Sequence, residues 1–341
     1  MNLNQIKNIL LKILNRRNIF LFGVLFLLVI ISWIIIIKYA TPSTKPLPLI
    51  NVSQNKSSLS VERFTFSKNP DIPSKVEVFA LKKDSALSLD KVKVIAKSLG
   101  FDSNPVAKNI SSGISFEWKG GNNFTFFPVS GSFSYSLSMT DNQNVLNGVN
   151  KPTVSSATTD AQKFLESLDL WNAGFKPIKT YQFSNLGADP SEVQNPNGDI
   201  VEIWFGLNFN NLPVYLDYPQ KPWVIIQVAH DSKIIKLVYQ KPPQTEKSLG
   251  DYEVIGLNET VMALKKNQGS VVSFLLTNSE QTTKQIKALS EMKIKSSQLA
   301  YLSSMENGEI LAPILVFEGN AIADTNQEGQ AIVYLPAITQ N

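Results

Sequence analysis

Residues 19–37 read IFLFGVLFLLVIISWIIII, nineteen positions without a charge and with Ser32 as the one hydroxyl. As a helix rising ~1.5 Å per residue, this stretch covers roughly 28 Å, close to the hydrocarbon thickness of a bilayer. It predicts a transmembrane helix and makes the lipid bilayer the first expected partner. The residues before it, 1–18, contain Lys7, Lys12, Arg16 and Arg17 and no acid, and Lys38 follows it. Lys12, Arg16, Arg17 and Lys38 form the expected membrane flank. Their excess on the amino side predicts a cytoplasmic N-terminus and an extracytoplasmic body in the cell membrane. Leu3, Ile6, Leu10, Ile13 and Leu14 recur at helical spacing, so residues 1–18 read either as an amphipathic surface helix or as a plain basic flank. The apolar run is longer than the core of a cleaved signal peptide. Its exit, IIIIKYATPS, has no small-x-small site, so an uncleaved single-pass signal-anchor is expected.

Outward from the span, residues 38–60 are rich in Pro, Ser and Thr and read as a linker. The net charge of +4 is unevenly placed. Residues 1–61 carry +7, which leaves the remaining 280 residues at −3 and argues against a nucleic-acid-binding face. The absence of cysteine excludes disulfides, thiol nucleophiles, Cys-ligated metals and a lipoprotein anchor.

Beyond residue 61 the pattern is helix, then alternating strands, about three times over. In the first unit, 61–150, Ser88 precedes LDKVKVIAKSL and Gly100 follows it, an N-cap and a C-cap around a helix. ISFEWK, FTFF and GSFSYSLS then alternate apolar and polar residues as half-buried antiparallel strands do. In the second unit, 151–245, residues 157–170 read as a helix. IVEIWFGLNF, LPVYLDY and WVIIQVA follow as strands, and HDSK turns into IIKLVYQ. In the third, 246–341, Asn258 precedes a helix closed by NQG, and EILAPILVFEG and GQAIVYLPAI form a hairpin around DTNQ. The expected fold class is α+β: an N-terminal transmembrane helix followed by tandem helix-plus-antiparallel-sheet units.

No catalytic or cofactor motif emerges, and no catalytic, cofactor-binding or metal residues are assigned. His230, the single histidine, is followed by Asp231; this could be a base with its orienting carboxylate, but between two apolar strands it reads as a turn. Asp324, Asn326 and Glu328 imitate the start of a calcium loop. The bidentate acid due at the twelfth position falls on Leu335, so a hairpin turn is expected. Ser-x-x-Lys occurs at Ser53/Lys56, Ser88/Lys91 and Ser290/Lys293 without the partner motifs of a Ser–Lys hydrolase. Among the aromatics, Phe127, Tyr218 and Trp223 are the expected exposed contacts for a partner.

NNLPVYLDY (210–218) and VAHDSKIIKLVY (228–239), with a helix before the meander, resemble PepSY-like modules, although Lys233 stands where glycine is usual in the polar turn. The layout is similar to that of membrane-anchored accessory regulators of two-component sensor kinases. IPSKVEVFAL (72–81), AKSLGF, DAQKFLESLDL, APILVFEG and IVYLPAI also resemble uncharacterised single-pass exported proteins of candidate-phylum bacteria. What the resemblance implies is a protein-binding or protease-restraining role outside the membrane, with no catalytic residues. The expected function is a non-enzymatic binding or regulatory protein that engages another envelope protein or a peptide, by strand addition to a sheet edge, with no cofactor. The alternatives are a structural envelope component and a cell-wall hydrolase or an inactive relative of one.

Overall fold

Period-two alternation runs through most of the chain after residue 59, and the computed structural model shows how those strands find partners. The structure describes residues 59–339 except 68–71, 83–86, 102–103, 119, 121, 139–142, 185–194, 217–218, 220, 278–285 and 304–308. Before residue 59 it describes Leu27, Val29, Ile30, Ser32, Leu47, Ile50 and Val52. Most of the expected span 19–37, and Lys12, Arg16, Arg17 and Lys38, therefore lie outside the described residues; Leu27, Val29, Ile30 and Ser32 are helical and exposed. Among the described residues no helix is long and apolar enough to cross a membrane. This corrects the expectation of a single-pass membrane protein with a cytoplasmic N-terminus and an extracytoplasmic body. The longest helix of the β-rich part has 14 residues, about 21 Å, and it is amphipathic.

The chain begins its pairing with β1 (Ser60–Val61), β2 (Phe64–Phe66) and β3 (Lys75–Leu81). Helix α1 (Leu89–Ser98) starts at Ser88, whose Oγ accepts the Lys91 N–H at 3.2 Å. It stops at Gly100, φ 87°, from which the N–H groups of Gly100 and Phe101 return to the carbonyls of Lys97 and Ala96. Four strands follow: β4 (Val106–Ile110), β5 (Gly113–Trp118), β6 (Asn123–Phe127) and β7 (Ser132–Ser136). Helix α2 (Val154–Ser167) opens with a capping box between Thr153 and Ser156. Then come β8 (Phe175–Phe183), β9 (Ile200–Phe209), β10 (Leu212–Tyr215), β11 (Val224–Val228) and β12 (Ile234–Tyr239).

Their hydrogen bonds give an antiparallel order β4-β5-β6-β7-β12-β11-β9-β8. Alternation sorts this sheet into an apolar face, with Phe124, Phe133, Tyr239, Ile226 and Phe205, and a polar face. On the polar face Tyr181, Glu202, Gln227, Lys236, Ser136 and Asn123 run in one cross-strand row. Aromatic stacking ties the apolar face across strands: Phe124 to Phe133 and Phe133 to Tyr239, both at 5.3 Å between ring centres. Helix α2 packs Ala157, Ala161 and Leu165 onto β8, β9 and β11.

The last third supplies β13 (Thr245–Glu253), α3 (Leu257–Lys265), β14 (Ser270–Leu276), β15 (Ala288–Leu302), β16 (Ile310–Ala323) and β17 (Glu328–Pro336). Asn258, the expected cap of α3, lies in its first turn. The helix starts after Gly256, whose N–H is taken by Glu259 Oε2 at 3.0 Å. β15 and β16 form a long hairpin from Leu289↔Ala323 to Leu302↔Ala312, β17 lies beyond β16, and β14 beyond β17. The other edge of β15 takes three parallel segments, β1, β2 and β10. β10 also pairs with β9, so the strands form one mixed sheet. β3 pairs with β13 and with the start of β16. Where β3, β9 and β15 meet, Phe79, Phe209 and Tyr301 form a ring trio, with Phe79 and Phe209 at 4.8 Å, and Tyr301 Oη donates to Glu77 O at 2.7 Å.

The expected tandem of α+β units is thus corrected to a mostly β chain on a large mixed sheet. Residues from Pro46 to Asn341 form one compact unit and Met1–Lys45 another. Strand pairs β7/β12, β3/β13 and β10/β15 cross the expected boundaries at 150 and 245. Alternation tells which face of a strand is buried, but it carries no information about which strand lies beside it.

One polar knot pins the segment joining β7 to α2. The turn 230–232 holds Asp231 and Ser232 in left-handed backbone, φ 53° and 60°. His230 Nδ1 lies 2.7 Å from Gly148 O and Nε2 lies 3.0 Å from Asp199 Oδ1. Both neighbours are acceptors, so both bonds form only when the ring is an imidazolium. Asp231 accepts the N–H groups of Val149 and Asn150, and Lys151 Nζ sits 3.0 Å from Asp199. Gly148 is required here, because a Cβ would fall 2.2 Å from Asp231 Oδ2. The Gly148 carbonyl and then Asp199 hold the His230 pKa above the ordinary 6.5. Bonds from Lys151 and His230 hold Asp199 below its usual value, and bonds from Asn150 do the same for Asp231.

The histidine contribution is therefore complete below about 6.5 and fades as pH rises through the raised folded value; the carboxylate contributions are present above about 3.8 and fade as pH falls. We expect His230→Gln to cost about 2 kcal/mol in urea unfolding near pH ~5.5 and clearly less near pH ~9. An equal cost at both would mean that the ring acts as neutral packing. On the β15/β16 hairpin, a Cβ at Gly319 would lie 2.1 Å from the Lys293 carbonyl oxygen, backbone that no rotamer change relieves. Gly319→Ala should lower the denaturant midpoint, at unchanged slope, by the equivalent of about 2 kcal/mol.

Candidate functional site

The end of α2 builds the first wall of a cleft. Leu168 is the last residue near helical geometry, and Asp169 follows at φ 54°. Its N–H returns to Glu166 O and that of Leu170 to Leu165 O, the pattern of a left-handed helix cap. This turn aims the Asp169 carboxylate at α1, where it accepts Lys91 Nζ at 2.7 Å. The Lys91 ammonium holds the Asp169 pKa below the usual carboxylate value. The β9–β10 turn contributes a second wall through Asn210 and Asn211, both with positive φ, as a two-residue hairpin turn requires. The third wall is the link from β12 to β13, residues 241–244, which read KPPQ. Gln244 O accepts the Lys82 N–H at 2.8 Å and so brings the end of β3 alongside.

Two adjoining hollows of about 380 and 840 Å³ share Asn172, Pro243 and Gln244. Among the described residues they take in Lys82, Lys91, Lys176 and Lys241, against Asp169 as the one carboxylate of the lining. Trp171, Phe209, Pro242 and Pro243 give the cleft apolar surface. Among the described residues, Lys82, Lys176 and Lys241 make no ion pair, and the side-chain amides of Asn208, Asn211 and Gln244 make no hydrogen bond. Burial, then Lys91, then Lys82, holds the Lys241 ammonium below the ordinary lysine range. Tyr239 donates to Leu170 O at 3.4 Å, and burial pushes its phenol up.

The residues singled out from sequence fall elsewhere. Trp223 is 2% exposed and donates its Nε1–H to Val214 O at 2.8 Å, so it belongs to the core. Phe127 is half-buried at the end of β6, opposite Ser132. Tyr218 lies outside the described residues, as do Ser53 and Lys56. His230 is oriented by Asp199 and not by its neighbour Asp231. Ser88 and Lys91 are the α1 cap and the Asp169 partner, and Ser290 Oγ donates to Ile322 O at 3.0 Å. Asp324 sits in the β16–β17 turn and accepts the Lys287 N–H. Among the described residues no group of three or more His, Asp or Glu could hold a metal ion. The polar sheet face does bury one carboxylate, Glu202, 2% exposed. Gln227 Nε2 and Trp204 Nε1 donate to it at 2.6 and 2.5 Å, and Lys236 Nζ lies at 3.6 Å, so its charge is already balanced. The four cleft lysines were missed because 82, 91, 176 and 241 are far apart in the chain. The one local signal was the stiff KPPQ link beside an exposed Asn-Asn turn.

No family model and no curated protein matches the chain, so the resemblance to PepSY-like modules has no support from them. Among solved structures, the chain is similar to an uncharacterized protein from Eubacterium rectale ATCC 33656. The TM-score is 0.43 and the sequence identity 12%, over 86% of this chain and 91% of that one. A likeness of that size carries no argument about activity or partner.

Proposed function

We propose that this chain is a non-catalytic binding protein whose cleft engages an extended segment of a protein or peptide partner. The observation that carries this reading is the set of unpaired side-chain amides and ammonium groups along two connected hollows. Polar groups that are neither used by the fold nor converging on one point suit a chain-like ligand better than a small molecule enclosed in a pocket. The reading is supported further by what the reactive side chains do. Ser88, Lys91, His230, Asp231 and Ser290 are each spent on a cap, an ion pair or a turn.

The test is a photo-cross-linking residue placed at Asn211 of the full-length chain, in the cells that produce it. We expect a single polypeptide adduct that is absent when the cross-linker replaces Leu275, which is 60% exposed on β14. Ala173→Trp, which fills the cleft from an exposed position, should abolish it. Adducts with copies of the same chain alone, or equal adducts from both positions, would overturn the reading.

A further inference from the structure

We infer that the segment held in this cleft is acidic: a peptide with carboxylates spaced along an extended chain, taken by Lys82, Lys176 and Lys241, while the amides of Asn208, Asn211 and Gln244 pair with its backbone. The inference rests on the binding reading above and names the chemistry of the partner.

Charge is the first argument. Among the described residues the lining holds four lysines and one carboxylate, and the Lys91–Asp169 pair cancels two of these charges. Three positive charges remain without a counter-charge among the described residues. Neighbouring like charges repel one another, and an anion that enters relieves the repulsion and adds attraction of its own. Lys241 registers this crowding, since burial and its neighbours Lys91 and Lys82 already disfavour its charged form.

Shape and group chemistry choose among anions. Lys82 and Lys176 line the larger hollow and Lys241 the smaller, so the positive charges are spread along the cleft. Among the described residues no arginine lines either hollow, and a planar bidentate fork is what most favours a phosphate group. Primary amides both donate and accept, which matches both halves of a peptide group, whereas a phosphodiester offers acceptors alone and uses the donor half only. Trp171, Phe209 and the Pro242-Pro243 pair give apolar surface for intervening side chains.

The test measures fluorescence anisotropy of labelled peptides with the full-length chain. One peptide alternates Glu and Ser, its twin carries Gln for Glu, and a short polyphosphate forms a third arm. The Glu peptide should bind, lose roughly tenfold or more in affinity on Lys241→Glu, and weaken as salt rises from about 0.05 to about 0.3 M. Lys82→Glu, at an exposed side chain, should show the same loss and serves if Lys241→Glu fails to fold. Lys295→Glu, on the distant β15 surface away from this lining, should leave binding unchanged. Equal binding of the Gln peptide, or tighter binding of polyphosphate, overturns the acidic-peptide inference. If the Gln peptide binds equally and Ala173→Trp still abolishes it, the binding reading survives the loss of this inference. If no peptide binds and the Asn211 cross-linker yields no polypeptide, both fall.

Discussion

A strand of fifteen residues has two rows of backbone N–H and C=O groups to satisfy, and β15 is where that requirement weighs most on the fold. One row is met by a single partner, β16, over most of its length. The other row is met piecemeal by β1, β2 and β10, three short parallel strands from residues 60–66 and 212–215. None of these segments could hold a sheet alone, since a strand of two to four residues gains too few bonds to offset its ordering. β15 gathers them, and through β10 it carries the eight-stranded sheet as well. The Phe79–Phe209–Tyr301 trio fills the corner that this gathering creates.

That arrangement explains what could be read from the chain and what could not. Local signals were legible because their physics is local. Ser88 and Gly100 bracket α1, and Phe133 and Tyr135 alternate against serines because one face of β7 is wet. Partner choice was not legible. The alternation of β7 is the same whether its neighbour is β6 alone or β6 and β12, and it is both. Trp223 was misjudged for a related reason. A tryptophan beside a turn looks available for contact, but its N–H had a buried carbonyl, Val214 O, waiting across the β10–β11 connection. The reading of residues 19–37 rested on one apolar run, and the β-rich part of the chain offers no helix that could stand in for it.

The candidate site shows the same division. Its scaffold is made of turn chemistry that sequence does encode: Asp169 and Asn211 tolerate the left-handed backbone that their turns need. Its charge is assembled only in three dimensions, from the end of β3, the first turn of α1, the start of β8 and the link after β12. A run of four lysines would have been visible as a charge cluster, whereas four lysines from four elements read as ordinary solvated surface.

The contrast between the two polar clusters sharpens the functional argument. At the His230 knot every donor meets an acceptor: the imidazole has Gly148 O and Asp199, Asp231 has two backbone N–H groups, and Ser232 Oγ donates to Asp160 at 2.6 Å. The same is true of Glu202 with Gln227 and Trp204. These clusters have internal partners for their charge and hold strands and turns in place. In the cleft the balance is different, because one lysine has its aspartate and three do not. Glu202 is satisfied by groups on its own sheet face, whereas Lys241 has no counter-charge among the described residues. The unmatched charge stands beside unmatched amides in the same cleft. That coincidence, more than the number of lysines, is the ground for proposing an acidic chain as the ligand of this cleft.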